Sequence, residues 1–181
     1  KNITLGSYFI NTQDTSFIEQ TVINGALTIN GLDSTSYVGG LSIKDDDNGG
    51  FFINNSDGFI TSHMHIEDTK GLSISSSNVR SNDFNIFKNS GGSSNTGGGI
   101  TILNSDVYLS NMVIDSNRVY TSGGGIYAYY SSLVMDSMII TRNYEQNGSG
   151  AGGVHFYSDG SGTHSLQISN SYIKHNSGQS G

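Results

Sequence analysis

Two short motifs recur along the chain at a long spacing. The sequence Gly-Gly-Gly-Ile occurs at 97–100 and again at 123–126, and Gly-Gly-Val follows at 152–154. An Ile-x-x-Asn unit accompanies these motifs, with its asparagines at positions 89, 117, 143 and 176. A long period of this kind is typical of stacked architectures, in which each repeat is one layer that cannot bury its apolar side alone. The repeat therefore constrains the fold more than any single residue does.

Within each period, apolar residues alternate with other residues over short runs. The first run after the glycines reads Ile100-x-Ile102, Ile126-x-Ala128 or Val154-x-Phe156. Alternation with a period of two is typical of a β-strand that buries one face. Two more runs follow in each period, in a background of Ser, Asn, Gly and β-branched residues that disfavours helix. We predict an all-β chain: a single right-handed parallel β-helix (a solenoid) of about seven rungs with three short strands each.

The repeat is most regular in the carboxyl half. We predict one β-helix domain over residues 1–181, with irregular rungs over 1–83 and regular rungs over 84–181. In the first part, single strands are expected at Leu27-x-Ile29, Leu41-x-Ile43, Phe51-x-Ile53, Met64-x-Ile66 and Leu72-x-Ile74. The sequence stops where the next Gly-Gly-Ile strand would begin. We therefore expect a slice of a longer chain, or another subunit that covers the last rung.

The composition favours the same architecture. Proline, which would delete a ladder hydrogen bond, is absent, and there are 25 glycines. Glycine is expected at corners that need a positive φ, and asparagine tolerates the same region and can hydrogen-bond from rung to rung. The predicted corner glycines are Gly97, Gly98, Gly123, Gly124, Gly152 and Gly153. The predicted corner ladder consists of Asn89, Asn117, Asn143 and Asn176, with Asn82 as the alternative to Asn89.

The charge and the cysteine content exclude several functions. The formal net charge is −7 at pH 7, which does not suit nucleic acid or an anionic membrane surface as a partner. The chain has no cysteine, and therefore no disulfide, thiolate metal site or cysteine nucleophile. No apolar run reaches transmembrane length. We expect no cofactor, no nucleic-acid partner and no membrane insertion in this segment.

The pairing of Gly-Gly-x-Ile with Ile-x-x-Asn resembles the repeat of the chlamydial polymorphic outer membrane proteins. The matching segments are Gly98–Ile100 and Gly124–Ile126 for the first motif, and Ile86–Asn89, Ile114–Asn117, Ile140–Asn143 and Ile173–Asn176 for the second. This chain uses Ile where that family favours Phe, and the resemblance covers residues 84–181. It implies a right-handed parallel β-helix, an extracellular or cell-surface location, and an adhesive or structural role rather than an enzymatic one.

Residues that alternate with the buried ones are the candidates for recognition. The alternation predicts one outward column of Leu103, Tyr129 and Tyr157, with Tyr127 beside Tyr129 and Phe52 as a further candidate member. Stacked side chains of this kind stabilise a sheet, and aromatic ones also offer a platform for a ligand. This column is therefore a candidate interface or glycan platform.

A second outward column is predicted on the third strand of each rung, from Val113, Ile139 and Tyr172. Contiguous exposed apolar residues usually mark an interface, unless a loop of the same chain covers them. One function that follows is an extracellular structural or adhesive protein whose solenoid packs laterally on copies of itself or on other surface proteins, for example in a filament. The alternative is a glycan-binding or glycan-cleaving β-helix, similar to pectin lyases, that uses the tyrosine column. We favour the first because no acid cluster stands out.

No residue is predicted to be catalytic, so a polysaccharide lyase or glycoside hydrolase is the less favoured interpretation. Asp115 and Arg142 are expected to pair across adjacent rungs, as a surface ion pair of small energy. His63 and His65 fall on one face of a predicted strand, but no third zinc ligand is visible.

Local sequence patterns also suggest a candidate Ca²⁺ site and candidate N-glycosylation sites. Asp45, Asp46 and Asp47 place three carboxylates in one tight loop, which is either a solvated turn or a Ca²⁺ site without EF-hand spacing. Asn2, Asn54 and Asn147 each begin an Asn-x-Ser/Thr triplet, the acceptor of N-glycosylation in a eukaryotic source.

Overall fold

The computed structural model describes residues 2–45, 49–91, 96–160 and 162–178. Its helices are α1 (Phe9–Thr12) and α2 (Ser16–Gln20). Its strands are β1 (Thr4–Gly6), β2 (Val22–Asn24), β3 (Ala26–Asn30), β4 (Tyr37–Lys44), β5 (Gly50–Asn54), β6 (Asp57–Glu67), β7 (Leu72–Ser75), β8 (Asn78–Asn82), β9 (Asn85–Phe87), β10 (Thr96–Gly97), β11 (Ile100–Leu103), β12 (Asp106–Ser110), β13 (Val113–Asp115), β14 (Arg118–Val119), β15 (Ser122–Gly123), β16 (Ile126–Tyr129), β17 (Ser132–Asp136), β18 (Ile139–Thr141), β19 (Tyr144–Glu145), β20 (Val154–Tyr157), β21 (Leu166–Ser169), β22 (Tyr172–Lys174) and β23 (Ser177–Gly178). The prediction of an all-β chain is confirmed.

The two short helices lie outside the alternating runs and were not predicted. Ser16 donates its backbone N–H to Asp14 Oδ1 at 2.9 Å, a local bond that favours a helical start for α2. Ser42 Oγ in β4 donates to the carbonyl of Ile18 at 2.8 Å and ties α2 to the strand. The side chain of Phe9 in α1 is buried. This segment has no repeat pattern, and local hydrogen bonds and one buried aromatic side chain hold it in position instead.

A six-stranded parallel sheet contains the strands that follow the glycine motifs. Its order is β20-β16-β11-β7-β5-β3, which is chain order in reverse. Ile100 pairs with Ile126, and Ile126 pairs with Val154, so the glycine motifs lie one above another. Ile100 also pairs with Leu72, so the same register is already present before residue 84. The described residues thus give six layers in this sheet, where about seven rungs were expected.

A twelve-stranded sheet contains the remaining long strands. Strand β6 pairs with β8 through its first half and with β9 through its second half. From this point each layer has two strands in the sheet, in the series β8-β12-β17-β21 and β9-β13-β18-β22. Short pairs form a three-stranded sheet, β14-β19-β23, and a two-stranded sheet, β10-β15. The parallel strands therefore lie in several sheets, an arrangement compatible with a parallel β-helix.

The inward-facing residues of successive layers form one apolar core. Ile53, Ile74, Ile102 and Ala128 follow one another in register in the six-stranded sheet, and all four are fully buried. Ile66, Ile86, Ile114 and Ile140 do the same in the twelve-stranded sheet. Burial of one such aliphatic side chain contributes about 1.5–3 kcal/mol. The alternation in the sequence thus identifies the core.

Residues with positive φ mark three bends that recur from layer to layer. The first bend, after the six-stranded sheet, contains Asn55, Ser76, Asn104 and Tyr130. The second, within the twelve-stranded sheet, contains His63, Asp83, Asn111, Ser137 and Asn170. The third, after that sheet, contains Asp68, Lys88, Ser116, Arg142 and His175. Only Asn, Asp and His among these are enriched in the left-handed region, so a Tyr there is unusual.

The motif glycines do not form the bends, and the prediction of a positive φ for them is wrong. Gly97, Gly98, Gly123, Gly124, Gly152 and Gly153 are absent from the described residues with positive φ. Close approach of the backbone explains them instead. A Cβ on Gly125 would lie 2.6 Å from the carbonyl oxygen of Gly153 and 3.0 Å from Ile140 Cγ2, and one on Gly124 would collide with the carbonyl of Gly152. The glycines of the motif therefore leave room for the backbone of the neighbouring layer to approach closely.

The repeat asparagines lie in successive layers directly after the third bend. Asn117 Nδ2 donates to Asn143 Oδ1 at 2.9 Å and to the carbonyl of Ile86 at 3.0 Å. Asn143 Oδ1 also accepts the backbone N–H of Asn117 at 3.0 Å. The same contacts join Asn89 to Asn117 and Asn143 to Asn176, across 28 and 33 residues of sequence. Their backbones lack a positive φ, which belongs to the preceding residue of each layer.

Candidate functional site

The tyrosine column is formed by residues that face outward from the six-stranded sheet. Leu103, Tyr129 and Tyr157 are in register in β11, β16 and β20. The rings of Tyr129 and Tyr157 are stacked, with centroids 5.1 Å apart and an interplanar angle of 13°. Tyr157 is 44% exposed, whereas Tyr129 and Leu103 are half-buried. The predicted column is therefore present, but the stacked rings of Tyr129 and Tyr157 cover part of each other's surface.

Tyr127 is not part of an exposed platform, contrary to the prediction. It is only 5% exposed, because the strands β10 and β15 pack beside β11 and β16 on this side of the sheet. Its ring contacts His155, with 5.4 Å between centroids. Burial raises the pKa of the Tyr127 phenol.

Phe52 lies in register with Tyr127 rather than with the tyrosine column. Phe52 pairs with Ser73, and the register continues through Thr101 to Tyr127. Phe52 therefore does not extend the column of Leu103, Tyr129 and Tyr157.

Tyr130 is an aromatic residue that sequence reasoning missed. It lies in the first bend with a φ of 47°. Its ring centroid is 4.1 Å from that of Tyr129 and 5.7 Å from that of His164. Hydrogen bonding with Tyr129 raises the pKa of Tyr130 to about 12. The available signal was the doublet Tyr129-Tyr130, in which the second Tyr takes the position of Asn104 one layer earlier.

A groove of about 710 Å³ runs along the first bend. Its lining comes from the same three positions of three successive layers, together with one aromatic and part of a loop. The lining residues are Asn55, Ser56, Asp57, Ser76, Ser77, Asn78, Asn104, Ser105, Asp106, Tyr130, Thr163 and His164. Most of these side chains are polar. We refer to this site as the first-bend groove.

A ladder of serines forms the buried side of the first-bend groove. The backbone N–H of Ser56 donates to Ser77 Oγ, that of Ser77 to Ser105 Oγ, and that of Ser105 to Ser131 Oγ, each at 3.1 Å. Each hydroxyl in turn donates to a carbonyl two residues earlier, as Ser105 does to Leu103 at 2.7 Å. The sequence signal is a serine three positions after an inward-facing residue in four successive layers, as in Ile102 and Ser105. The ladder fixes the backbone from which the groove residues project.

Two carboxylates face the first-bend groove. Asp57 pairs with Asn78, and Asn78 pairs with Asp106, so the three form one outward column. All three are exposed. Among the residues that the structure describes, no hydrogen bond or ion pair occupies the carboxylates of Asp57 and Asp106. The described lining includes neither Lys nor Arg, so the groove carries a negative potential.

The second predicted column lies on the outer face of the twelve-stranded sheet. Val113 pairs with Ile139, and Ile139 with Tyr172. Ile139 is 45% exposed and Tyr172 is 53% exposed, while Val113 is half-buried. The Lys174 ammonium lies 4.3 Å from the centre of the Tyr172 ring, a cation–π contact. We call Val113, Ile139 and Tyr172 the apolar strip.

Ion pairs join neighbouring layers on the same sheet. Arg142 Nη2 contacts Asp115 Oδ2 at 2.5 Å, and Thr141 Oγ1 donates to the other carboxylate oxygen at 2.9 Å. Partial burial opposes ionisation of Asp115, but these two hydrogen bonds outweigh it and lower the pKa of the carboxyl. Arg142 is mostly exposed, which limits the stabilising energy of the pair. The geometry is that of a surface ion pair between layers.

The described residues include no three-ligand metal cluster around the histidine pair. His63 lies in the second bend and faces Asp83 at 3.6 Å, whereas His65 faces Glu67 at 3.4 Å, so their contacts diverge. Across the described ranges, no cluster of three or more His, Cys, Asp or Glu side chains is arranged to hold a metal ion. Of the aspartate run, Asp45 is described and half-buried, and Asp46 and Asp47 lie outside the described residues.

The three Asn-x-Ser/Thr triplets lie in different environments. Asn2 and Asn147 are exposed. The third triplet, at Asn54, ends in Ser56, whose buried hydroxyl belongs to the serine ladder and donates to the carbonyl of Asn54 at 3.0 Å. Asn147 follows the fully buried Glu145, which accepts its backbone N–H at 3.0 Å. The structure thus leaves Asn2 and Asn147 more accessible to modification than Asn54.

Comparison with known proteins adds no relative. No protein-family model matches the chain, no curated protein is significantly similar to it in sequence, and no solved structure matches it significantly. Within the described residues, neither helix is long and apolar enough to cross a lipid bilayer.

Proposed function

We propose that this chain forms a single right-handed parallel β-helix that serves as a structural or adhesive part of an extracellular surface protein, without enzymatic activity. The residue-by-residue parallel pairing of each layer with the next supports the solenoid interpretation. The asparagine ladder supports it further, since it repeats one contact from layer to layer. Such a scaffold gains stability layer by layer and leaves its outer faces free for binding.

The single observation that carries a structural role is the apolar strip. Ile139 and Tyr172 are large apolar residues in adjacent layers, and about half of each side chain is exposed. Contiguous exposed apolar surface usually marks an interaction site. Because the strip follows the direction in which the layers stack, a second copy can align its own strip along it. The proposed partner is therefore another copy of this chain, packed side by side.

The test is the size of the protein in solution after the strip is charged. We expect the double variant Val113→Asp/Ile139→Asp to dissociate the assemblies of the unchanged protein into monomers by light scattering, while circular dichroism shows an intact fold. The matched control is Ile60→Asp/Tyr120→Asp, which charges two other exposed apolar positions and leaves the size unchanged. An unchanged size of the strip variant, or a monomeric parent protein, would contradict lateral packing.

The second candidate function is glycan binding or cleavage. One observation favours it: the tyrosines at positions 129, 130 and 157 cluster next to the first-bend groove, in which Asp57 and Asp106 have no partner among the described residues. The groove lining combines many hydrogen-bonding side chains with the ring of Tyr130, groups that suit the hydroxyls and the C–H face of a sugar. This candidate concerns a different face from the apolar strip, so the two functions are compatible.

A further inference from the structure

We propose that the first-bend groove binds a linear, uncharged oligosaccharide about three hexose units long, with Tyr130 as the aromatic ring at one end. The proposal goes beyond lateral packing and rests on the second proposed function, glycan binding. It moves the contact from the predicted tyrosine column to a neighbouring residue and names the class of ligand.

The aromatic contact is assigned to Tyr130 because it is the tyrosine in the described lining of the groove. Tyr129 packs between Tyr157 and Tyr130, and Tyr127 is buried. The Tyr130 ring also contacts those of Tyr157 and His164, with 5.7 Å between centroids in each case. A sugar ring packs its C–H groups against an aromatic face that is open to solvent. Tyr130 lines the groove itself and is half-exposed.

The backbone at Tyr130 is a second reason for the assignment. The same position is Asn55, Ser76 or Asn104 in the earlier layers, where a small polar residue fits the first bend. A tyrosine with a φ of 47° is less stable there than an asparagine. Residues held in such conformations cluster at functional sites. A binding role explains why a large aromatic occupies a position that favours asparagine.

The length of the ligand follows from the spacing of the layers. The groove is lined by the layers of Asn55, Ser76 and Asn104 and ends at the layer of Tyr130. Parallel strands are about 4.8 Å apart, so these four layers span about 14 Å. That distance accommodates about three hexose units in an extended chain, each next to one layer of polar side chains.

The polar lining matches hydroxyl groups and disfavours acidic sugars. Asn78 lies between Asp57 and Asp106, so an amide that can donate and accept alternates with carboxylates that only accept. Sugar hydroxyls donate to such carboxylates in charge-assisted hydrogen bonds. With neither Lys nor Arg in the described lining, the carboxylate of a uronic acid would be repelled. The lining therefore favours a neutral sugar over an acidic one.

A loop that departs from the repeat also lines the groove. In the layer of Tyr130 strand β16 ends at Tyr129 and the next strand begins at Ser132, whereas one layer later β20 ends at Tyr157 and β21 begins only at Leu166. Thr163 and His164 from this longer connection line the groove. In solenoids, insertions of this kind map to loops on one face, which is often the binding face.

The test uses three neutral trisaccharides, N-acetylchitotriose, cellotriose and maltotriose, with trigalacturonate as the acidic comparison. Each is titrated into the isotope-labelled protein and followed by NMR. We expect at least one neutral trisaccharide to bind with a Kd of about 0.1–1 mM, with shifts in the groove residues, and trigalacturonate to bind at least about tenfold more weakly because of repulsion. Absence of binding by all three neutral probes, or equal binding of trigalacturonate, overturns the proposal.

The variant Tyr130→Asn locates the site. Asparagine is the natural residue at this bend in two other layers, so the variant is expected to fold and to lose affinity at least about tenfold. Tyr120→Asn, at an exposed tyrosine outside the groove, is the matched control and retains affinity within about twofold. Undiminished binding by a folded Tyr130→Asn variant overturns the assignment. The strip variant Val113→Asp/Ile139→Asp should bind sugar normally, so failure of lateral packing and failure of sugar binding are separate results.

Discussion

The repeat asparagines hold their layers together because each amide hydrogen-bonds to the asparagine of the next layer and to a backbone carbonyl. Asn117 Oδ1 accepts from both the backbone and the side chain of Asn89, and Asn117 Nδ2 donates to Asn143 and to a carbonyl. The side chains of Asn89, Asn117 and Asn143 are buried. A buried amide that lost its partners would cost as much as the bond itself contributes, or more. At the scale of the residue, these positions therefore tolerate little change.

We expect Asn117→Ala to lower the free energy of unfolding by about 1–3 kcal/mol, because it removes the acceptor of the Asn89 backbone N–H and a donor to the carbonyl of Ile86. Urea unfolding checks this value. Asn85→Ala, at an exposed asparagine in β9, is the control and should change the free energy by less than about 0.5 kcal/mol. Equal stability of Asn117→Ala and the parent protein would count against the ladder.

At the scale of the element, packing of one layer on the next explains the glycine motif. The Gly125 Cα lies against the next layer. An added methyl would lie 3.1 Å from Asn143 Nδ2 and 2.6 Å from the carbonyl oxygen of Gly153. Backbone conformation is not the constraint, since Gly125 has no positive φ. The motif thus couples the glycines to the asparagine ladder through direct contact.

Gly125→Ala is therefore expected to destabilise the protein by about 1–3 kcal/mol through overpacking, measured by thermal or urea unfolding. A suitable comparison is Gly160→Asn, since Gly160 has a φ of 78° with open space around it and asparagine tolerates that conformation. The comparison variant should unfold close to the parent protein. If Gly125→Ala is as stable as Gly160→Asn, close approach of the neighbouring layer is not the reason for glycine at position 125.

Charged contacts also join three strands around Glu67. Its carboxylate accepts from Lys88 Nζ at 2.9 Å, pairs with Lys44 Nζ at 3.2 Å and contacts His65 at 3.4 Å. Partial burial favours the protonated form, but the hydrogen bonds from Lys88, Lys44 and His65 outweigh it and lower the pKa of Glu67 to about 2. The folded pKa lies below the ordinary value of 4.5, so this contribution is complete above that pH and is lost as the pH falls towards 2.

We accordingly expect Glu67→Gln to be less stable than the parent protein by about 1 kcal/mol at pH 7, a value reduced by the exposure of the two lysines. The difference should shrink as the pH falls from 5 to 2, which a series of urea unfolding curves measures. A difference that is independent of pH over this range would show that the charge of Glu67 is not responsible.

The sequence predicts the buried side of this protein better than its outer side. Alternation assigns Ile100, Ile102 and Ile126 to the core because a strand turns successive residues to opposite faces. It cannot show that β10 and β15 cover Tyr127, since that depends on the path of a loop. Tyr130 was missed for the same reason, because it lies in a bend where the alternation ends. The core residues can therefore be predicted from the local sequence pattern, whereas the groove residues cannot.

At the scale of the whole molecule, the apolar strip and the first-bend groove are two separate surface sites on a core of regularly stacked strands. The apolar strip lies on the twelve-stranded sheet, and the first-bend groove lies where the six-stranded sheet turns towards it. Both repeat in the stacking direction, so a partner that engages either one contacts several layers at once. The proposed surface function follows from this combination: a ladder-stabilised scaffold that packs along one face and binds sugars along another.

The most direct test of this account is electron microscopy of the parent protein over a range of concentrations. We expect particles associated side by side, or filaments, whose number rises with concentration because the apolar strip joins copies of the chain. The strip variant Val113→Asp/Ile139→Asp should show single particles under the same conditions. Single particles of the parent protein at every concentration would contradict the account.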